Sequence, residues 1–153
     1  MLPLDITDKK ILNLLQYDAK LTTKEIADKT GKTITPVYER IKWLEQQGYI
    51  KQYVAILDKE KIERNTVAYT NVQLKEHAHS MSKSFEKSIV KFDEVMECHH
   101  MTGSYDYLLK LVVAGMKEYQ LFIVEKLSKL PNIGTVQSSF VMTEIKNELA
   151  YKL

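Results

Sequence analysis

Apolar positions between residues 4 and 47 recur at helical spacing. Ile6, Ile11, Leu12, Leu14 and Leu15 form one stripe, with Asp5 placed to cap the helix and Asp8 in its first turn, where the helix dipole favours an acid. Thr22-Thr23-Lys24-Glu25 has the Thr-x-x-Glu form of a capping box, Ile26 and Ala27 point inward, and Gly31 closes the segment. A third helix is predicted from Thr33 or Thr35. Its first turn tolerates Pro36, its buried side carries Val37, Ile41 and Leu44, and Gly48 ends it.

Two helices joined by a short glycine-containing turn, after a first supporting helix, have the spacing of a helix-turn-helix. The last helix of that motif offers its N-terminal half to the major groove. Here that half carries Thr33, Thr35, Pro36, Tyr38, Glu39, Arg40 and Lys42, which supply hydroxyl, aromatic and charged groups for base edges and phosphates. The solvated face of an ordinary three-helix bundle fits the same spacing.

After Gly48 the rhythm changes. Residues 49–57 alternate as a strand leaving the bundle, and 58–64 read as a charged helical turn. Residues 66–75 alternate again, and 79–92 form an amphipathic helix on Met81, Phe85, Ile89 and Phe92. Strands are predicted at 95–102 and 105–114, with Gly103-Ser104 as a tight hairpin turn between them. A helix over 117–130 ends at Pro131, and a strand over 135–144 follows. The order βαββαβ is a ferredoxin-like layout, so the fold class is α+β. The expected division is a helix-turn-helix domain at 1–50, a linker strand and turn at 51–65, and the ferredoxin-like domain at 66–153. Two of its strands carry apolar residues on both sides, and an uncovered apolar sheet face is an aggregation hazard. A homodimer packed sheet against sheet resolves this.

Composition narrows the class further. At 153 residues, 44% hydrophobic and 27% charged, the chain is globular, and five glycines with three prolines leave no flexible linker. The net charge of +2 divides evenly, with nine basic and eight acidic residues up to Asp58 and thirteen and twelve after it. Any grip on nucleic acid must therefore come from local placement of charge. No apolar run approaches the length of a membrane span, and the first ten residues, with Asp5 and Asp8, are not expected to be a secretory leader. A single cysteine excludes an internal disulfide and fits a cytoplasmic location.

Several stretches together resemble the Lrp/AsnC family of transcriptional regulators. They are Leu4-Asp5-x-x-Asp8-x-x-Ile11-Leu12, Thr33-Ile34-Thr35-Pro36-Val37-Tyr38-Glu39-Arg40-Ile41, Leu44-Glu45-x-x-Gly48-Tyr49-Ile50, Glu97-Cys98-His99 and Thr102-Gly103-Ser104-Tyr105-Asp106-Tyr107-Leu108-Leu109. The resemblance implies a winged helix-turn-helix that binds double-stranded DNA, and a C-terminal ligand-sensing domain, called RAM, that responds to a free amino acid. It also implies dimers assembling into tetramers or octamers. It places an effector near Gly103, Ser104, Tyr105 and Asp106, with Asp106 as the carboxylate for a ligand ammonium, and near Val136 and Ser138 of the last strand. The family often has two hydroxyl residues at those last positions, whereas here one is Val136. Of Tyr105 and Tyr107, one is expected to face the ligand and the other to pack in the sheet.

Other chemistry is weaker. Cys98-His99-His100 alternates in a strand and leaves too few neighbouring ligands for zinc, so no metal and no cofactor are expected. No nucleophile motif is present, and an enzyme is not expected. Two alternatives remain. A ligand-independent architectural DNA-binding protein is kept open by Val136. A sirohaem-decarboxylase-like enzyme resembles the same family but would need cations, and Arg40 and Arg64 are the only arginines.

Overall fold

The computed structural model describes residues 3–153. Met1 and Leu2, which open both the segment expected not to be a leader and the first domain, lie outside the described residues. The chain divides into two units. One runs to Ile56 and also takes in Lys146–Leu153, and the other is Leu57–Ile145.

The first unit holds α1 (Ile6–Tyr17), α2 (Thr23–Thr30) and α3 (Ile34–Gln46). Local chemistry sets each boundary. The Asp5 carboxylate accepts the Asp8 N–H at 2.8 Å, and the Asp8 carboxylate accepts the Asp5 N–H at 3.0 Å. The same reciprocal box starts α2, where the Thr22 N–H donates to Glu25 at 2.7 Å and the Glu25 N–H donates to the Thr22 hydroxyl at 3.3 Å. Gly31 stands at φ +67°, a left-handed conformation that lets the Lys32 N–H reach the Ala27 carbonyl at 3.0 Å. Ile11, Leu12, Leu15, Ile26, Ala27, Val37 and Leu44 form the core. The returning tail meets α1 through Gln16, whose side-chain amide donates to the Tyr151 carbonyl at 3.0 Å and accepts the Tyr151 N–H at 2.7 Å.

Residues 49–57 are not a strand. They pair with no strand among the described residues, and Val54, Ile56 and Leu57 are exposed. The alternation is real, but a strand exists only with a neighbour to take its backbone bonds.

The second unit comprises β1 (Thr66–Leu74), α4 (His79–Ile89), β2 (Val95–His100), β3 (Tyr107–Val113), α5 (Met116–Leu121) and β4 (Ile133–Phe140). The sheet order is β2-β3-β1-β4, antiparallel at every pairing. Ala68, Val72 and Leu74 of β1 and Tyr107, Leu109 and Leu111 of β3 point to one side. There they are covered by Phe85 and Ile89 of α4 and by Phe122 and Leu127, which follow α5. The opposite face carries Tyr69 and Asn71, Leu108, Lys110 and Val112, and Gln137 and Ser139, as the register requires.

Two expectations are corrected. The second helix of this unit is not uniform: α5 passes into a π-helical turn at Phe122–Lys126 and a 3-10 turn at Leu127–Lys129. Phe122 and Leu127 lie five residues apart and are both fully buried in the same core, and wider turns bring five-apart residues toward one face. The connection between β2 and β3 is also not a two-residue turn at Gly103-Ser104. His100 pairs with Tyr107, and residues 101–106 form a loop closed by the Met101 N–H on the Asp106 carbonyl at 2.8 Å.

Gly134 opens β4 against the bulge between Val72 and Leu74 of β1. A Cβ there would lie 2.9 Å from the Gln73 carbonyl oxygen, a backbone atom that cannot step aside. Gly134→Ala is therefore expected to destabilise this unit by about 1–3 kcal/mol, read from urea unfolding.

Candidate functional site

The residues expected to face DNA lie along the first half of α3. Thr33 is its N-cap, but the hydroxyl makes no capping bond and is exposed. Thr35 and Pro36 are exposed in the first turn, and Tyr38 and Glu39 are exposed one turn on. Val37 between them is fully buried, which fixes that face outward. Lys42 lies 5.8 Å from the centre of the Tyr38 ring and 2.9 Å from a Glu45 oxygen. That hydrogen bond raises the lysine pKa and lowers that of Glu45. Glu45 also accepts the Tyr53 hydroxyl at 3.0 Å, and burial, with this carboxylate, pushes Tyr53 up to about 12.

Arg40 differs from its neighbours. Its Nη1 stands 2.6 Å from Asp5 Oδ2 and 2.6 Å from Asp8 Oδ1. No spacing in the sequence marks a partner for this arginine, because Asp5 and Asp8 read only as acids at a helix start. Lys24, Lys29 and Lys32, on α2 and the turn after it, are exposed and make no ion pair among the described residues.

The second group centres on the 101–106 loop. Gly103 has φ +119°, a conformation that favours glycine, and Ser104 is exposed beside it. The Tyr105 hydroxyl donates to the Gln137 side chain of β4, while Tyr107 is buried in the core beside Phe85. Asp106 is engaged on every side. Its N–H donates to the Val72 carbonyl at 3.0 Å, one carboxylate oxygen accepts the Leu74 N–H at 2.7 Å, and the other lies 3.0 Å from His77 Nδ1. Val136 and Ser138 sit elsewhere. They are opposite Val72 and Thr70 on the helix-covered side, where Val136 packs on the core and the Ser138 hydroxyl bonds Thr70 at 2.8 Å. Gln137 and His77 are additions that the sequence reading missed. Gln137 faces the side of the sheet opposite Val136 and Ser138, and nothing in the local spacing around His77 points to Asp106, a residue distant in the chain.

Cys98, His99 and His100 separate as the strand alternation requires. Burial pushes the Cys98 thiol up to about 11, His99 meets Glu97 at 3.2 Å, and His100 stacks on Tyr107 at 4.9 Å. Among the described residues, no three His, Cys, Asp or Glu side chains are grouped to hold a metal, and no helix is long and apolar enough to cross a membrane.

A family model for a winged helix-turn-helix DNA-binding domain matches residues 4–51, and one for the Lrp/AsnC ligand-binding domain matches residues 67–151. The leucine-responsive regulatory proteins of Escherichia coli K12 and Klebsiella pneumoniae are each 34% identical over 151 residues, covering 97% of this chain and 92% of theirs. The chain belongs to the Lrp/AsnC family of transcriptional regulators. Its fold superposes on that of a Neisseria meningitidis regulator solved with L-methionine, at TM-score 0.93 and 33% identity over 97% of this chain and 96% of that one. Escherichia coli AsnC, at 19% identity and TM-score 0.91 over 99% of this chain and all of its own, shares the fold. As an Lrp/AsnC regulator the chain thus pairs a helix-turn-helix unit with the ferredoxin-like ligand-binding domain of that family.

Because Asp106 ties the loop to β1, its loss is felt first as stability. Asp106→Ala strands the Leu74 N–H and is expected to cost about 1–3 kcal/mol in urea unfolding, while Asp106→Asn, which keeps an acceptor, costs less. Equal losses in the two variants would count against the hydrogen bond to Leu74 as the cause.

Proposed function

We propose that the chain reads double-stranded DNA with the N-terminal half of α3 and that a free amino acid, held by its ferredoxin-like unit, adjusts this binding. The observation that carries the reading is the α3 surface. Thr33, Thr35, Pro36, Tyr38 and Glu39 stand exposed in succession around buried Val37, in a chain whose relatives are leucine-responsive regulatory proteins. Lys42 completes that surface. The ligand contacts are drawn from Gly103, Ser104, Tyr105 and Asp106, with Val136 and Ser138 lining the neighbouring strand, and the L-methionine complex of the Neisseria relative supports an amino acid as the class. The sheet face of Tyr69, Leu108 and Val112 pairs with its equivalent in a second copy, giving a homodimer that assembles further. Symmetry then sets two recognition helices about one turn of DNA apart, on an imperfect palindrome.

One observation favours a second reading. Val136 and Ser138 are spent on the core and on Thr70, so neither of these two positions offers a free hydroxyl to a ligand. On this reading several copies bind and bend DNA without an effector.

The test combines DNA titration with a thermal-shift screen of the twenty amino acids, L-methionine and L-leucine among them, and light scattering on each hit. DNA affinity is expected to fall steeply with salt, with a log–log slope of about −0.9 per phosphate neutralised. A hit that raises the melting temperature and shifts the oligomer mass supports the sensor. No hit at millimolar ligand, with DNA binding intact, leaves the architectural reading. Absence of DNA binding at low salt overturns both.

A further inference from the structure

Three features outside the roles assigned above stand out: the Gln16–Tyr151 clasp, the buried Glu94 carboxylate beside Lys126, and the Arg40 cluster. The clasp shows what holds the tail and suggests no ligand. Glu94 leaves one oxygen unpartnered among the described residues, but its other oxygen is already held by Lys126 and nothing identifies a ligand. The Arg40 cluster can be argued through.

Arg40 is the strongest fixed cation on α3, and the natural reading gives it to a phosphate. The geometry opposes that. One guanidinium nitrogen donates to two carboxylates at 2.6 Å, and the Asp8 side chain is only 7% exposed against 37% for Arg40. Nη1 spends its N–H groups on these two acids, so a phosphate would meet only the remaining donors, Nε and Nη2, and would approach past the negative charge of Asp5. These two acids are also the reciprocal box that starts α1. One cluster therefore joins the first turn of α1 to the middle of α3.

We propose that Arg40 is a positioning residue that fixes the rotation of α3 through Asp5 and Asp8, and that Lys32 supplies the phosphate grip at the head of that helix. The proposal rests on the DNA-binding reading above. Apolar packing through Val37 and Leu44 sets which face of α3 turns inward. The charge-assisted hydrogen bonds to Asp5 and Asp8 are directional, so they hold the angle of the helix about that contact more narrowly. Lys32 has the opposite character. It is exposed, makes no ion pair among the described residues, and stands next to the Thr33 N-cap, with its own N–H fastened to the Ala27 carbonyl at 3.0 Å. The backbone there is fixed and the cation is free to meet a phosphate.

The two roles for Arg40 predict opposite signs for Asp8→Asn. If Arg40 contacted phosphate, removing the Asp8 charge would free it and tighten binding. If Arg40 positions α3, the same change loosens the helix and weakens recognition. The probes are a duplex enriched by the wild-type protein from a random pool and a random duplex of equal length. Both are titrated over a range of KCl, well below the melting temperature of every variant. Asp8→Asn and Arg40→Gln are expected to reduce the selected-to-random affinity ratio roughly tenfold, the scale of losing one base contact, with the salt slope unchanged. Lys32→Ala is expected to weaken both duplexes alike and to flatten the slope by about 0.9 per bound protomer.

Tighter binding by Asp8→Asn, with a slope flattened by Arg40→Gln, overturns the positioning role. An unchanged slope in Lys32→Ala overturns the grip. A variant that lowers the melting temperature but keeps the full affinity ratio shows a structural ion pair only, and also overturns the positioning role. Wild-type binding to neither duplex at low salt instead removes the DNA-binding reading, and the positioning role with it.

Discussion

Strand β1 is hydrogen-bonded along both edges, to β3 on one side and β4 on the other. The candidate ligand region is an extension of that ladder. The Asp106 N–H continues the pairing onto Val72, and its carboxylate takes the Leu74 N–H where the register with β4 shifts. Beyond the strand, the Asn132 side chain accepts the Glu76 N–H at 2.9 Å and donates to the Glu76 carbonyl at 2.7 Å. The loops at this end are thus fastened to β1 and, through Glu76–Asn132 and His77–Asp106, to one another. A ligand that moved any of them would act through the end of β1.

The first unit solves a smaller problem with different means. Seven buried residues among those described make its core and set which face of each helix turns inward. Polar groups at the helix starts add directional bonds to that packing. The acids that satisfy the orphan N–H groups of α1 also hold the α3 arginine, so capping and helix packing share the same atoms. The backbone hydrogen bond from Asp8 and the guanidinium hold the Asp5 carboxyl below its ordinary range. The stability this contributes is present above that range and lost as pH falls through the lowered value.

Much of this was legible in the sequence. Thr22 and Glu25 announced their capping box, Gly31 its left-handed turn, and the βαββαβ order its sheet, because each depends on residues near one another in the chain. What escaped depends on distant partners. Arg40 lies thirty-two residues or more from its acids, and Asp106 lies as far from Leu74. No periodicity reports such pairs. The strand at 49–57 failed for the converse reason: alternation records a willingness to pair, and pairing needs a second strand. The site residues divide in the same way. The exposed face of α3 follows from helical spacing around Val37. Val136 and Ser138 share a face with the core because the register to Val72 and Thr70 puts them there.

The tail closed by Gln16 and Tyr151 has a consequence for how the molecule is made. With Lys146–Leu153 belonging to the first unit, the ferredoxin-like unit is an insertion within it rather than an appendage after it. The three helices emerge before the ferredoxin-like unit during synthesis and can assemble their core early. Their last contact waits until all of Leu57–Ile145 has been translated. The helical unit therefore begins folding before the ferredoxin-like unit and gains the Gln16–Tyr151 contact after it.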